Sequence, residues 1–227
     1  MRVTLVTPPA VEPLTATEVK ARLGYGSEVS DSLASSLITA ARQQLDGWGG
    51  WLGRALITQT WKITLPGFYQ GTKRHYWFEN PALIAVNDCP ITLPIPPLQS
   101  ISSISYVDTA GVTQTLSSSA YRTLTDTFAT IFPVYGTNWP ATRCQQDAVT
   151  ITFVAGYGDA GSAVPEPIRS AIALQVAHLR WISAQNPFLS ADRVEGLGEQ
   201  KYSVGGTATA ALNAAVTALI ANYRIPI

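Results

Sequence analysis

The sequence is short of the residue types that carry most protein chemistry. Of its 227 residues only two are cysteine and two are histidine. Cys89 and Cys144 are too few for a disulfide framework and too far apart for a zinc ribbon, and nothing else in the chain signals an oxidising compartment. His178 falls among apolar residues at helical spacing, where a hydrogen-bonded packing histidine is the simpler reading. His75 and Glu79 would share a face only in a helix, which Pro81 and the run Tyr76-Trp77-Phe78 oppose, and two ligands do not make a metal site. The chain contains no G-x-S-x-G elbow, and neither cysteine lies in a nucleophile motif. Charge is scarce as well. Charged residues make up 13%, and 15 Lys plus Arg cancel 15 Asp plus Glu, so no global field pulls the protein toward nucleic acid or an anionic membrane. No apolar run approaches the ~20 residues that cross a bilayer, and Met1–Pro9 lacks the apolar stretch of a signal peptide. These absences predict no catalytic set, no cofactor, no metal and no membrane role, for a chain that is cytosolic when made.

What is present is apolar. Hydrophobic residues reach 46%, which marks a folded chain rather than a disordered one. Low charge at zero net charge makes a poorly soluble monomer, a composition best tolerated when partners cover much of the surface. The chain opens extended, with Pro8, Pro9 and Pro13. Thr15-Ala16-Thr17-Glu18 has the form of a capping box and predicts a short helix to Leu23, stopped by Gly24 and Gly26. Asp31 reads as the cap of a longer helix to about Trp48, with Leu33, Leu37, Ala40, Ala41, Gln44, Leu45 and Trp48 on one face. From Ile57 to Leu65 the period becomes two, as in a half-buried antiparallel strand. Further strands are predicted at 101–107, 112–116, 121–124, 130–132 and 149–155, with Thr109-Ala110-Gly111 as a hairpin loop. The proline-rich run from Pro90 to Leu98 excludes a central strand and favours an edge. Pro165 and Pro167 open a helix of residues 165–184. Its first stripe is Ile168, Ile172, Val176, Leu179 and Ile182; a second holds Leu174, Ala177 and Trp181. A helix apolar on two faces is buried on two sides, in its own core or against a neighbouring subunit. Asn186–Gly206 reads as a mobile, glycine-rich loop, and a last helix, about Ala208–Tyr223, presents Leu212, Ala215, Val216, Leu219 and Tyr223.

The predicted class is therefore α+β: a helical bundle formed by the N- and C-terminal helices with an inserted antiparallel β layer. Residues 1–227 read as one domain, helical at about 15–48 and 165–223, with β structure at about 57–155. Gly67 to Lys73 only loosely resembles a phosphate loop, because Thr72 splits the Gly-Lys step. Lys73-Arg74-His75 beside Tyr76, Trp77 and Phe78 mixes basic and aromatic groups, as single-strand binders do. On a neutral protein the cluster reads as a solvated or partner-facing insertion, or as a loop lining a pore through which DNA passes unread.

In this order the segments resemble the head–tail connector (adaptor) proteins of long-tailed bacteriophages and of phage-derived gene transfer agents. The resemblance runs almost end to end. It rests on Leu5-Val6-Thr7-Pro8-Pro9-Ala10 with Thr15, Glu18 and Lys20, and on Arg54 to Trp61. Pro96 to Ile101, Tyr106-Val107-Asp108, Pro133 to Gly136 and Trp139-Pro140 follow. Its most specific piece is Val149 to Gly158 followed by Val164 to Ile168. The resemblance implies a ring of identical chains, usually twelve, beneath the portal vertex in the virion neck, made in the host bacterial cytoplasm. Such a ring extends the DNA channel and provides the platform for a stopper or tail-completion protein. The insertion at 68–89 and the stretch 194–206 depart from the family pattern. Subunit or partner interfaces are expected at Leu174, Trp181, Tyr223, Arg224, Ile225 and Ile227, the last five residues acting as an arm that docks on the portal or folds back on the protein's own helices. Lys73 and Arg74 are the expected channel-facing residues. The alternatives are another neck component, such as a stopper or terminator, and an enzyme using Cys89 or Cys144 with a histidine.

Overall fold

The computed structural model describes residues 1–68, 90–125, 128–184, 191–194, 198–201 and 206–225. The chain divides into two compact units, each built from two separate stretches: Met1–Ala10 with Gly53–Asp159, and Val11–Leu52 with Ala160–Ile227.

The first unit holds β1 (Arg2–Thr7), β2 (Gln59–Leu65), β3 (Ile91–Thr92), β4 (Leu98–Val107), β5 (Thr113–Thr115), β6 (Tyr121–Thr125), β7 (Ala129–Pro133) and β8 (Val149–Ala155). They form an antiparallel five-stranded sheet in the order β1-β2-β8-β4-β5 and a three-stranded sheet in the order β3-β7-β6. β2 and β8 carry the same alternation, every second residue buried, and pair without interruption from Gln59 opposite Ala155 to Leu65 opposite Val149. A one-residue slip would turn seven positions to the wrong face, so this register is strongly specified.

β4 reaches the same face by another route. Its apolar residues Leu98, Ile101 and Ile104 recur every third position, yet they lie opposite Ala155, Phe153 and Ile151, which recur every second. Two β-bulges, between Leu98 and Ser100 and between Ile101 and Ser103, absorb the extra residues. The core face thus stacks Ile63, Ile151 and Ile104 in one row and Trp61, Phe153 and Ile101 in the next. Each fully buried Ile or Phe contributes about 1.5–3 kcal/mol. Phe68 adds a parallel stack on buried Trp139, centroids 4.8 Å apart, and an edge contact with Tyr106 at 5.6 Å. The other face is a field of hydroxyls, taken up below.

The proline-rich run lies at an edge, as its missing amides require: β3 is two residues long and borders the three-stranded sheet. The Pro96 carbonyl accepts from the Ala55 amide, and Pro97 accepts from Gly156. Gly156, at φ 137°, sits so close to Ile57 that a Cβ would lie 2.5 Å from that residue's backbone. Asp108 organises the β4–β5 turn by accepting from the amides of Ala110 and Val112 and the side-chain amide of Gln114. The strand expected at 112–116 is only Thr113–Thr115, all three of them exposed.

The second unit contains α1 (Ala16–Leu23), α2 (Asp31–Leu45), α3 (Glu166–Ala184), α4 (Gly206–Ile220) and a hairpin of β9 (Ala191–Val194) and β10 (Gly198–Lys201). α1 packs on α2 and α3, α2 on α3, and α3 on α4. The capping box at Thr15 and Glu18 forms in full, and Gly24 closes α1 in the left-handed conformation. The fold class is α+β.

Several expectations are corrected. Ser30, not Asp31, caps α2, its hydroxyl accepting from the Leu33 amide, and the helix ends at Leu45 rather than Trp48. Its buried face is Ala34, Ile38, Ala41 and Leu45, while Leu33 and Gln44 are exposed. That face mixes two alanines with Ile38 and Leu45, and α2 packs on α3. On α4 the covered positions are Val216 and Ile220, not Ala215, and Tyr223 belongs to a short 3-10 turn beyond the helix. The stretch read as a mobile loop contains the β9–β10 pair. Its strands are polar, so no apolar alternation announced them.

Adding a methyl group at Gly156 tests the tight crossing in the first unit. Gly156→Ala is expected to destabilise the protein by about 3 kcal/mol, from overpacking and a disfavoured φ together. Urea unfolding should show a lower midpoint at unchanged slope.

Candidate functional site

The side chains suited to catalysis do not assemble among the described residues. Among the described residues no group of three His, Cys, Asp or Glu is placed to hold a metal ion, and no helix is long and apolar enough to cross a membrane. Cys144 is an exposed free thiol. The half-buried His178 ring lies 6.4 Å from that of Trp181, nearly parallel to it. Cys89, His75, Lys73, Arg74 and Ile227 lie outside the described residues.

What the second unit does carry is a charged frame with apolar margins. Arg169, on the first turn of α3, is mostly buried and uses its whole guanidinium. It donates to the Pro13 carbonyl, to Glu166 and to Glu18, linking α3 to the entry of α1. Arg22 from the end of α1 returns to Glu166, and Lys20 reaches Asp31 at the start of α2. On α2, Arg42 joins Glu12 at 2.7 Å and Asp46 at 2.8 Å, with Asp46 almost fully enclosed. Partners shift the acids. The Thr15 amide, ahead of the Thr15 hydroxyl and Arg169, holds the Glu18 carboxyl below its ordinary value of 4.5. The Arg22 hydrogen bond does the same for Glu166.

Outside this frame lie the expected interface residues. Leu174 and Ala177 are half-buried, Trp181 is 37% exposed and its neighbour Ile182 51%. The first stripe of α3 therefore splits: Ile168, Ile172 and Val176 are core, while Ile182 joins Trp181 on an uncovered end. Tyr223 is half-buried and Arg224 exposed. Ile225 is not a free arm residue. It is only 6% exposed, and its amide donates to the Leu52 carbonyl at 3.1 Å.

Two aromatic residues escaped the sequence reading. Trp51, 52% exposed, stands on the glycine-rich turn after α2, where its amide bonds the Gln44 carbonyl. Tyr135, 94% exposed, tips the turn ending in Gly136. Both lie off any periodic face, and only an aromatic residue beside turn glycines pointed to them.

No protein-family model matches the chain, and no curated protein matches it by sequence. Solved structures do match its fold. A chain in the neck of an empty gene transfer agent (GTA) particle, computed with C6 symmetry, superposes with a TM-score of 0.65 at 22% identity, covering 100% of this chain and 97% of that one. A chain in the virion of a native gene transfer agent particle gives the same values. One in the neck of the native particle, computed with C12 symmetry, gives 0.61 at 20% identity with the same coverage.

Two outcomes follow from this geometry. Both depressed carboxyls contribute stability that is present above pH 4.5 and lost as the pH falls through and below it. The melting temperature should therefore drop as the pH falls below 4.5, and Arg22→Gln, which removes the largest cause of the Glu166 shift, should flatten that drop. Ile225→Ala should cost about 2–4 kcal/mol in chemical denaturation, as a buried aliphatic truncation does.

Proposed function

We propose that this chain is a non-enzymatic structural component of the neck of a tailed phage or phage-like particle, and specifically its head–tail adaptor. The observation that carries the reading is the end-to-end likeness of both units to chains of gene transfer agent particles, two of them from necks. The likeness covers 100% of this chain and 97% of the neck chain, so it supports the reading along the whole length and not through one shared module. The chain then acts by geometry. Copies meet through identical heterologous contacts that close into a ring, as head-to-tail interfaces do when their rotation closes. The ring, of twelve copies as the C12 neighbour suggests, sits beneath the portal protein, extends the DNA channel and seats the stopper or tail-completion protein.

The uncovered end of α3 fits the ring contact. Leu174, Trp181 and Ile182 form an apolar margin beyond the core stripe, and tryptophan is the side chain most enriched where interfaces concentrate their energy. Tyr223 and Arg224, just past α4, are the candidates for contact with a neighbouring ring. Lys73 and Arg74 remain the loop proposed to face the channel, where DNA passes without sequence readout.

Trp181→Asp tests the ring contact. The variant is expected to fold, with a melting temperature within a few degrees of the parent, and to be missing from assembled necks. Loss of the fold instead would return Trp181 to the protein's own core. A cryo-electron-microscopy reconstruction of the particle neck tests the wider reading. Density for this chain between portal and tail supports the adaptor, and density only at the tail side makes it a stopper or terminator.

A further inference from the structure

The solvent-facing side of the five-stranded sheet has an unusual composition. Cross-strand partners share a face, so the register sets Arg2, Thr64, Thr150, Ser105 and Thr115 in one row. Thr4, Lys62, Thr152 and Ser103 form the next. Hydroxyls fill both rows, and the cations are Arg2 on β1 and Lys62 on β2. Diagonal positions on adjacent strands lie ~7–8 Å apart, within joint reach of two long side chains.

Both cations line one open concavity, together with Met1, Thr64, Pro66, Gln146, Asp147 and Thr150. Lys20, Arg22, Arg42 and Arg169 in the other unit all engage carboxylates. Arg2 and Lys62 engage none: among the described residues neither side chain has an ion-pair or hydrogen-bond partner. The nearby acid, Asp147, is exposed and accepts from the Gln145 side chain.

We infer that this hydroxyl-rich sheet face, with Arg2 and Lys62 at its charged corner, is a contact surface for the phosphodiester backbone of duplex DNA. Guanidinium, ammonium, hydroxyl and carboxamide donors all suit phosphate oxygens, and such groups hold a backbone without reading its bases. A protein partner would need an apolar anchor at the centre of the contact. The two rows present none, and the only apolar residues lining the concavity are Met1 and Pro66. With two cations and one opposing acid, the contact is weak and strongly salt-dependent, as suits DNA that must move along it. The choice of duplex DNA as the occupant rests on the proposed neck reading, and the test uses the isolated chain.

The experiment is fluorescence anisotropy of a labelled 20-base-pair duplex with the full-length protein, as a function of salt. The parent should bind in the micromolar range or weaker without sequence preference. Arg2→Gln/Lys62→Gln should weaken binding at 50 mM salt at least five-fold and lower the slope of log affinity against log salt by about 2, since each phosphate contact contributes about 0.9. Arg2→Lys/Lys62→Arg should retain it, and circular dichroism should show both variants folded. Unchanged affinity and slope in the double glutamine variant overturn the inference. So does a loss confined to Lys73→Gln/Arg74→Gln, which would move the contact to the 69–89 segment. Displacement of the duplex by a few millimolar inorganic phosphate at constant ionic strength would make the concavity a small-anion site. Equal binding of a polyglutamate peptide would make it a surface for acidic protein. A failure here leaves a neck position intact, and absence from the neck leaves this binding result standing.

Discussion

The pairing of β2 with β8 is the constraint on which the first unit depends. Residues 59–65 and 149–155 are far apart in sequence, and their union closes a long loop, an entropic cost that grows slowly with length. What offsets it is a run of seven matched positions whose alternate side chains are all buried. Once β8 is placed, β4 can join its far side and β1 can join β2, so both outer contacts inherit their register from the central one. The bulges of β4 show the order of precedence. Its apolar residues have the wrong spacing for a regular strand, and the backbone bends to bring them to the core that β2 and β8 define.

The second unit is governed differently. Its helices carry modest apolar faces, many of them alanine, and their ends are tied by ion pairs that converge on Arg169 and Arg42. Exposed ion pairs are individually worth little. A buried guanidinium whose donors reach a backbone carbonyl and two carboxylates is a different object, since losing one partner strands the rest. This frame orients α1 on α3 and leaves the far end of α3, with Trp181 and Ile182, outside the packed region.

A protein proposed to act by assembly would have its function on its surfaces. The second unit exposes Trp181 and Ile182 at the end of α3 and Trp51 on a glycine turn, the material of protein contacts. The first unit exposes Tyr135, Phe128 and other apolar side chains as well. Its sheet face adds hydroxyls with Arg2 and Lys62, the material of phosphate contacts. The phosphate contact is therefore proposed for that one face and not for the first unit as a whole.

Much of this was legible in the order of residues. Strict alternation at 59–65 and 149–155, the Thr15–Glu18 capping box, Gly24 and the prolines before α3 are local signals, because backbone sterics and nearest-neighbour hydrogen bonds decide them. The edge position of the proline run was legible too. Tertiary structure alone decided the rest. Which face of α2 turns inward depends on what packs against it, so Leu33 is exposed while Ala34, Ile38, Ala41 and Leu45 are buried. The strand at 101–107 was legible, but its start at Leu98 and its two bulges arise only from pairing with β8. The polar hairpin of β9 and β10 is stabilised by backbone pairing, which leaves no apolar period in the sequence. Arg2 and Lys62, sixty positions apart, become one site because register places them on one sheet face, and register is a property of the pairing rather than of either strand.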